Sequence, residues 1–397
     1  MTKKNVASTT RWHPRACLPW ISYAGLLLSV LAIWQLARNP LQEFLKPIGA
    51  DFFNVWAAPR VAAQDITALF DIGRYMATIR PWFDTPLATR NWSYPLYDLF
   101  FYAPFAWLPY GLALAVWSVG GLAAYLLVSR PLMPRTQSLL PILCLGASPF
   151  VLVNLTYGQN GFLTAVLSLG ALLTLPRRPW LAGVLIGLLC IKPHFGLLWP
   201  AILLGLGAWR SFAAATVTVL ACAGASLAVH GVEAWQLYLQ HAGPVHMHFA
   251  AATPEQGMLR NFQLMMLSPF TSLRLLQLPF TLAMGVQLVL SLLVMLACAW
   301  GFRRHTALLP RALLLGSASL LVTPYAFNYD AGVLTAALLA WFAHSTTATP
   351  RGQIALFAAG LLLPVWVMPL NGVFLPVAPL CLLLIFTTAF HMRPLTA

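Results

Sequence analysis

Charge is what this chain has least of. Only 8% of its 397 residues are charged, about a third of the share in an ordinary soluble domain, and nine of them are Asp or Glu. With so few acids there is no carboxylate pair for a nucleotide-bound metal. A P-loop and a G-x-G-x-x-G after a strand are missing too, so a cytoplasmic nucleotide site has nothing to be built from. Cysteine is equally sparse. Cys17, Cys144, Cys190, Cys222, Cys298 and Cys381 are scattered, mostly inside apolar runs, with no C-x-x-C. They read as small core hydrophobes, not as a disulfide framework or a metal site.

What the chain has in excess is apolar surface, 60% of its residues. A soluble fold leaves much of its surface in water and would aggregate with this composition. Disordered chains are poor in apolar residues, which excludes disorder. The class that remains is a polytopic membrane protein with lipid as its main solvent. The net charge of +14 fits cytoplasmic loops enriched in Lys and Arg better than a nucleic-acid partner, and none is expected.

Apolar runs predict helices over about 19–37, 98–129, 137–154, 159–176, 179–191, 194–209, 211–229, 282–302, 308–323, 330–344, 353–369 and 373–391. The expected fold class is an all-α polytopic membrane protein with about twelve transmembrane helices. Several runs are shorter than the ~20 residues of a straight crossing, so some helices should be broken or packed inside the protein. Stretch 98–129, interrupted at Pro104 and Pro109, is one kinked crossing or a half-helix followed by a full one. The first run has no small-residue cleavage site and is read as a retained helix.

Basic residues arbitrate sidedness. If the tail with Lys3, Lys4, Arg11 and Arg15 is cytoplasmic and 98–129 makes one net crossing, Arg130 with Arg135, Arg177 with Arg178, Arg210, Arg303 with Arg304, Arg351 and Arg393 all fall on the same side. The expectation is a multi-pass protein of the plasma (inner) membrane with cytoplasmic tails at 1–18 and 392–397. A single transmembrane domain at 19–391 lies between them, with long outer loops at about 38–93 and 230–280. The turns at Tyr157–Gly161, Lys192–His194, Tyr325–Asp330 and Asn371–Gly372 share that outer side, where nearly every polar residue that is not a topology signal gathers.

Asp51 opens the run Asp51-Phe-Phe-Asn-Val-Trp56. A lone Asp in a loop is commonly solvated or a helix N-cap; flanked by aromatics, it also suits a general base for a hydroxyl. Trp92 and Tyr94 fit an aromatic belt, and Asp98 a cap or a cavity-facing acid. Gln159-Asn160 is either a tight turn or a pair of hydrogen-bonding amides for a polar ligand. Lys192-Pro-His194 breaks two apolar stretches and suits a phosphate ligand, with snorkelling to the interface as the alternative. His246-Met-His248 lacks a convincing third ligand, so no metal is expected. His248 and Arg260 suit phosphate or sugar contacts, and Arg60, Arg74, Arg80 and Arg90 an anion or lipid headgroups. Asp330 in Asn328-Tyr-Asp330 reads as a cap, with ligand contact second.

In order along the chain, Asp51-x-x-x-x-Trp56, Tyr94-Pro95, Gly158-Gln159-Asn160, Ala182-Gly183 continuing to Lys192-Pro193, Arg260-Asn261-x-Gln263 and Thr323-Pro324 with Asp330 close behind resemble glycosyltransferase family 87 of the GT-C superfamily, from about residue 19 to 345. The resemblance implies a GT-C-like fold and a transferase acting at the outer membrane face. It implies a polyprenyl-phosphate sugar donor, transfer of a hexose or pentose with inversion, and Asp51 as base. Lys192, His194, Arg260 and His248 would hold the donor phosphate. Trp56, Tyr94, Gln159, Asn160, Asn261, Gln263 and Asp330 would line the substrate site. The partners would be the donor lipid, a lipid or glycan acceptor and the bilayer, with no cofactor. Many members carry a Trp-Asp-His-like run where this chain reads Tyr325-Ala-Phe-Asn-Tyr-Asp330. No His follows, so that role falls to His194 or His248, or is absent. The rivals are a transporter or flippase of a lipid-linked glycan, and an inactive scaffold of the same fold.

Overall fold

Proline and glycine punctuate the apolar sequence, and many helices begin or end at one, although Pro19, Pro59, Pro104, Pro364 and Pro369 lie inside helices. The structure, a computed structural model, describes residues 11–38, 49–83, 89, 91–134, 139–251 and 262–392; for 11, 32–38 and 242–251 it describes the backbone alone. The helices are α1 (Pro14–Arg38), α2 (Phe52–Asp65), α3 (Ile72–Ile79), α4 (Asp98–Ala106), α5 (Tyr110–Ser129), α6 (Leu140–Gly146), α7 (Pro149–Tyr157), α8 (Gly161–Thr174), α9 (Pro179–Leu188), α10 (Pro193–Gly196), α11 (Leu198–Leu206) and α12 (Trp209–Ala251). After them come α13 (Pro269–Leu275), α14 (Phe280–Arg304), α15 (Leu308–Val322), α16 (Gly332–His344), α17 (Arg351–Gly372) and α18 (Ala378–Phe390). Pro109, Pro279 and Pro350 precede α5, α14 and α17, where a missing N–H costs nothing. Two short strands, β1 (Arg11–Trp12) and β2 (Thr349–Pro350), pair antiparallel.

By length and composition five of the described helices can cross a membrane, six if the bent pair α6–α7 is one span. A count of about twelve would require six shorter apolar helices of 10–17 residues to cross as well. Stretch 98–129 resolves into the half-helix α4 followed by the full-length α5. Run 137–154 breaks at Ala147–Ser148, and its halves are bent by 42°. The two segments expected as outer loops are largely helical where described. The first carries α2 and α3. In the second, α12 runs on past His230 and turns at Gly231, whose φ of 80° suits glycine; apolar periodicity fades there, and the backbone continues as helix.

The main core surrounds α16, which is buried from Gly332 to Ala343 because it is apolar on every side. Phe150, Phe162, Leu314, Leu321 and Phe357 pack in the same cluster. By contrast α5, α12 and α14 expose Val119 and Leu127, Val217 and Leu220, and Val289 and Leu293, faces that in a membrane meet acyl chains. A second, aromatic core joins α2 to α4 through Phe52, Phe53, Trp92, Tyr102 and their neighbours.

Several basic clusters meet at one end of the bundle. His13 reaches the Thr346 carbonyl, Arg351 lies over the Trp12 ring, and His344 bonds the Leu132 carbonyl beside Arg130. His305, next to Arg304, bonds the Phe390 carbonyl at the end of α18. The polar turns described next are carried at the other ends of these helices.

Candidate functional site

The site grows from one left-handed glycine. Gly158 ends α7 at φ +66°, and a Cβ there would come within 2.6 Å of the Phe52 Cβ. This close approach docks the turn after α7 onto the start of α2, and the Asp51 N–H donates to the Tyr157 carbonyl at 3.0 Å. Gln159 is thereby aimed at Asp51, and its amide nitrogen donates to the Asp51 carboxylate. Asp51 makes no side-chain cap to α2; its carboxylate belongs to the turn from α7.

Asn160, the next residue, stands at the head of α8 without capping it. Its amide oxygen instead accepts from the Lys192 ammonium at 3.2 Å. Lys192 sits between the 3-10 turn Leu189–Ile191 and Pro193, kept out of the helical region as residues before proline are. Its ammonium also donates to Asp330 at 2.5 Å. The pair is sealed, with 6% and 0% of the side-chain surfaces exposed. The Tyr329 ring lies 4.7 Å from the Lys192 nitrogen. The second Asp330 oxygen accepts the Phe327 N–H at 3.1 Å, so this carboxylate is both a turn cap and an ion-pair partner. The result is a continuous seam, Asp51 to Gln159, then Asn160 to Lys192 to Asp330.

Backbone contacts hold the far side. A Cβ at Gly161 would lie 2.0 Å from the Tyr329 carbonyl oxygen, so only glycine lets the Asn328–Asp330 turn sit this close. Asn154 donates to the Tyr329 carbonyl at 3.1 Å. Asn328 donates to the Pro364 carbonyl at 3.0 Å, and the Asn371 amide donates to the carbonyls of Leu264 and Met266. These clamps fix the turn that carries Asp330.

The other candidates divide. Tyr94 packs 5.3 Å from the Trp92 ring and feels the charges of Asp51, Asp98 and Asp330 together, which puts it beside the seam. Trp56 is committed to the aromatic core: its N–H donates to the Leu108 carbonyl at 2.9 Å, and Arg60 lies 3.9 Å over its ring. His194 is half-buried with its ring 4.8 Å from that of Phe195. Gln263 is buried. Arg260 and Asn261 lie outside the described residues, as does the His248 side chain.

Two acids of the segment expected as the first outer loop have structural duties. Asp71 caps α3 by accepting the Arg74 N–H, and Asp65 accepts from the Thr67 N–H and hydroxyl and pairs with Arg74. The Thr67 hydroxyl, chiefly, holds the Asp65 carboxyl below its ordinary range. Tyr329 and Asn154 escaped sequence reading, because their roles depend on contacts far apart in the chain.

The sequence profile of glycosyltransferase family 87 matches residues 92–324. The chain belongs to glycosyltransferase family 87. No curated protein and no solved structure matches it. The matched stretch of this membrane glycosyltransferase contains Tyr94, Asp98, Gln159, Asn160 and Lys192, while Asp51 and Asp330 flank it on either side. The seam thus draws two residues from outside the matched stretch onto three within it.

Proposed function

We propose that this glycosyltransferase moves a hexose or pentose from a polyprenyl-phosphate donor to a lipid or glycan acceptor at the outer face of the plasma membrane, with both termini cytoplasmic and inversion at the anomeric carbon. The observation that carries the reading is the seam itself: one carboxylate, Asp51, and one ammonium, Lys192, joined through the consecutive amides of Gln159 and Asn160.

In this reaction Asp51 takes the proton of an acceptor hydroxyl. The hydroxyl oxygen attacks the anomeric carbon, and the bond from that carbon to the lipid phosphate breaks, its electron pair leaving on the phosphate oxygen. One displacement at one carbon inverts it. Lys192 spends two of its three N–H donors on Asp330 and Asn160, leaving the third for a donor phosphate oxygen. Because Asp330 already balances its charge, Lys192 acts as a fixed hydrogen-bond donor, and His194, Arg260 and His248 supply further positive charge or donors. Donors fixed in advance stabilise the charge that develops on a leaving group without reorganising. Tyr94 lines the seam where a sugar ring would lie.

The test is Asp51→Asn, which keeps shape and hydrogen bonding but cannot take the proton. Purified protein should insert, bind donor lipid and transfer sugar about 10²- to 10⁴-fold more slowly. Transfer at near the wild-type rate would remove Asp51 from the role of base. Mass spectrometry of glycolipids and envelope glycans from a deletion strain would identify sugar and acceptor.

A further inference from the structure

Asp51 and Asp330 both have side-chain partners; Asp98 has none. It is the first residue of α4 and fully buried, and neither carboxylate oxygen has a hydrogen-bond partner among the described residues. Two donors in the same aromatic core are also unpartnered there, the indole N–H groups of Trp92 and Trp235, while the Tyr102 hydroxyl interacts with the Asn160 side chain.

These groups form one patch. Tyr102 lies four residues beyond Asp98 on α4, hence on the same helix face, and its ring is 6.1 Å from that of Trp92. Tyr97, adjacent to Asp98, packs its ring 5.9 Å from Trp235, which meets Tyr238 at 5.6 Å. Tyr94, Tyr97, Tyr102 and Tyr238 all lie within electrostatic range of Asp98. Tyr94 is in turn within reach of Asp51 and Asp330, so the patch adjoins the seam.

An interfacial aromatic belt does not account for it, because belt residues turn their polar tips to water. Trp92 and Tyr102 are fully buried. Nor does packing, since a buried polar group without a partner costs free energy, an ionised carboxylate most of all, and Leu or Phe would fill the same space without that cost. The orphans are complementary in kind: a carboxyl with two unpartnered oxygens, and indole N–H donors in the core around it. A carboxyl offers a phosphate no positive charge, and a simple cation would leave the indole N–H groups unused. A neutral polyol uses all of them. Adjacent hydroxyls donate to the two carboxylate oxygens and accept from the N–H groups, while the C–H face of the ring lies on the aromatics.

We propose that Asp98, with Trp92, Tyr102 and Trp235, forms a hydroxyl-binding subsite that holds a sugar ring beside the Asp51–Lys192 seam. This rests on the transfer reaction proposed above and names the part of it that recognises carbohydrate. Asp98 is here a binding residue, and Asp51 remains the base.

The experiment uses the full-length protein in lipid nanodiscs, titrated with methyl hexopyranosides and methyl pentofuranosides and followed by tryptophan fluorescence and thermal unfolding. Asp98→Leu removes the orphaned acid, so it should melt at a higher temperature than wild type while binding the preferred glycoside roughly tenfold to hundredfold more weakly. Asp98→Asn should fold normally and bind with intermediate affinity. In steady-state transfer, a raised KM for the donor assigns the subsite to the donor's sugar, and a raised KM for the acceptor assigns it to the acceptor. Wild-type binding in both variants, no glycoside response from the wild-type protein, or a fall in kcat with both KM values unchanged would overturn the proposal. Asp51→Asn should still bind the glycoside, so failure of the subsite and failure of the base are read separately.

Discussion

Lys192 and Asp330, 138 residues apart in the chain, meet as an ion pair 2.5 Å across with almost no exposed surface. The pair locks the turn before α16 to the break before α10. Breaking a buried pair by deleting one partner typically costs about 3–5 kcal/mol, whereas replacing both by apolar groups is often neutral. Lys192→Met and Asp330→Leu should therefore each lower stability by about that amount, and the double variant should recover most of it. Chemical unfolding of the four proteins in one detergent, read as a double-mutant cycle, checks this. Additive losses would mean the pair is not coupled.

Gln159 donates to the Asp51 carboxylate, which favours its charged form. Removing that donor in Gln159→Leu makes Asp51 hold a proton more tightly, so the acid limb of the kcat/KM profile should move to higher pH. Gln159→Glu adds a like charge at the same place and should move it further. Steady-state rates across pH decide the matter, and an unmoved limb in both variants would detach Gln159 from the base.

Gly161 has no room for a side chain, its Cβ position lying 2.0 Å from the Tyr329 carbonyl oxygen and 2.5 Å from the Asn154 amide oxygen. Overpacking a tight site typically costs about 1–3 kcal/mol. Gly161→Ala should lower the melting temperature and also weaken transfer, because the Asn328–Asp330 turn must retreat and carry Asp330 from Lys192. Gly111→Ala, which meets nothing within 4 Å, is the matched control and should behave as wild type.

Sidedness is open to direct labelling. In a background with native thiols replaced, Asp71→Cys at the exposed N-terminal cap of α3 should react with an impermeant reagent from outside intact cells. Arg177→Cys and Arg351→Cys should react only after permeabilisation. The reverse pattern would invert the proposed orientation.

Apolar helices such as α14 and α15 were legible from composition alone, because in lipid the helix is the cheapest way to satisfy a backbone. The membrane class, the family and the break at Pro109 were legible too. The start of the segment expected as the first outer loop was harder. Phe52, Phe53, Trp56 and Ala57 look like a hydrophobic loop until their spacing is seen to fill one side of α2. The Asp51–Gln159 and Lys192–Asp330 pairings were beyond reach, since each joins residues more than a hundred positions apart. Sequence had cast Lys192 as a phosphate cation and Asp330 as a cap, without sign that each was the other's partner. Asp98 read as a cap or a cavity-facing acid, and only its full burial sets it apart.

The pairing of Trp12 with Thr349 sets a clock on biogenesis. Roughly 340 residues separate the two strands, and at about 5–20 residues per second a ribosome needs tens of seconds to make them. Throughout that interval β1 has no β2 to pair with, although α1 has long since emerged. The N-terminal segment is thus stitched down among the last contacts of the molecule, after α16 exists to be covered. An N-terminal fusion that occupies Arg11–Trp12 should leave early insertion untouched and slow only the final closure.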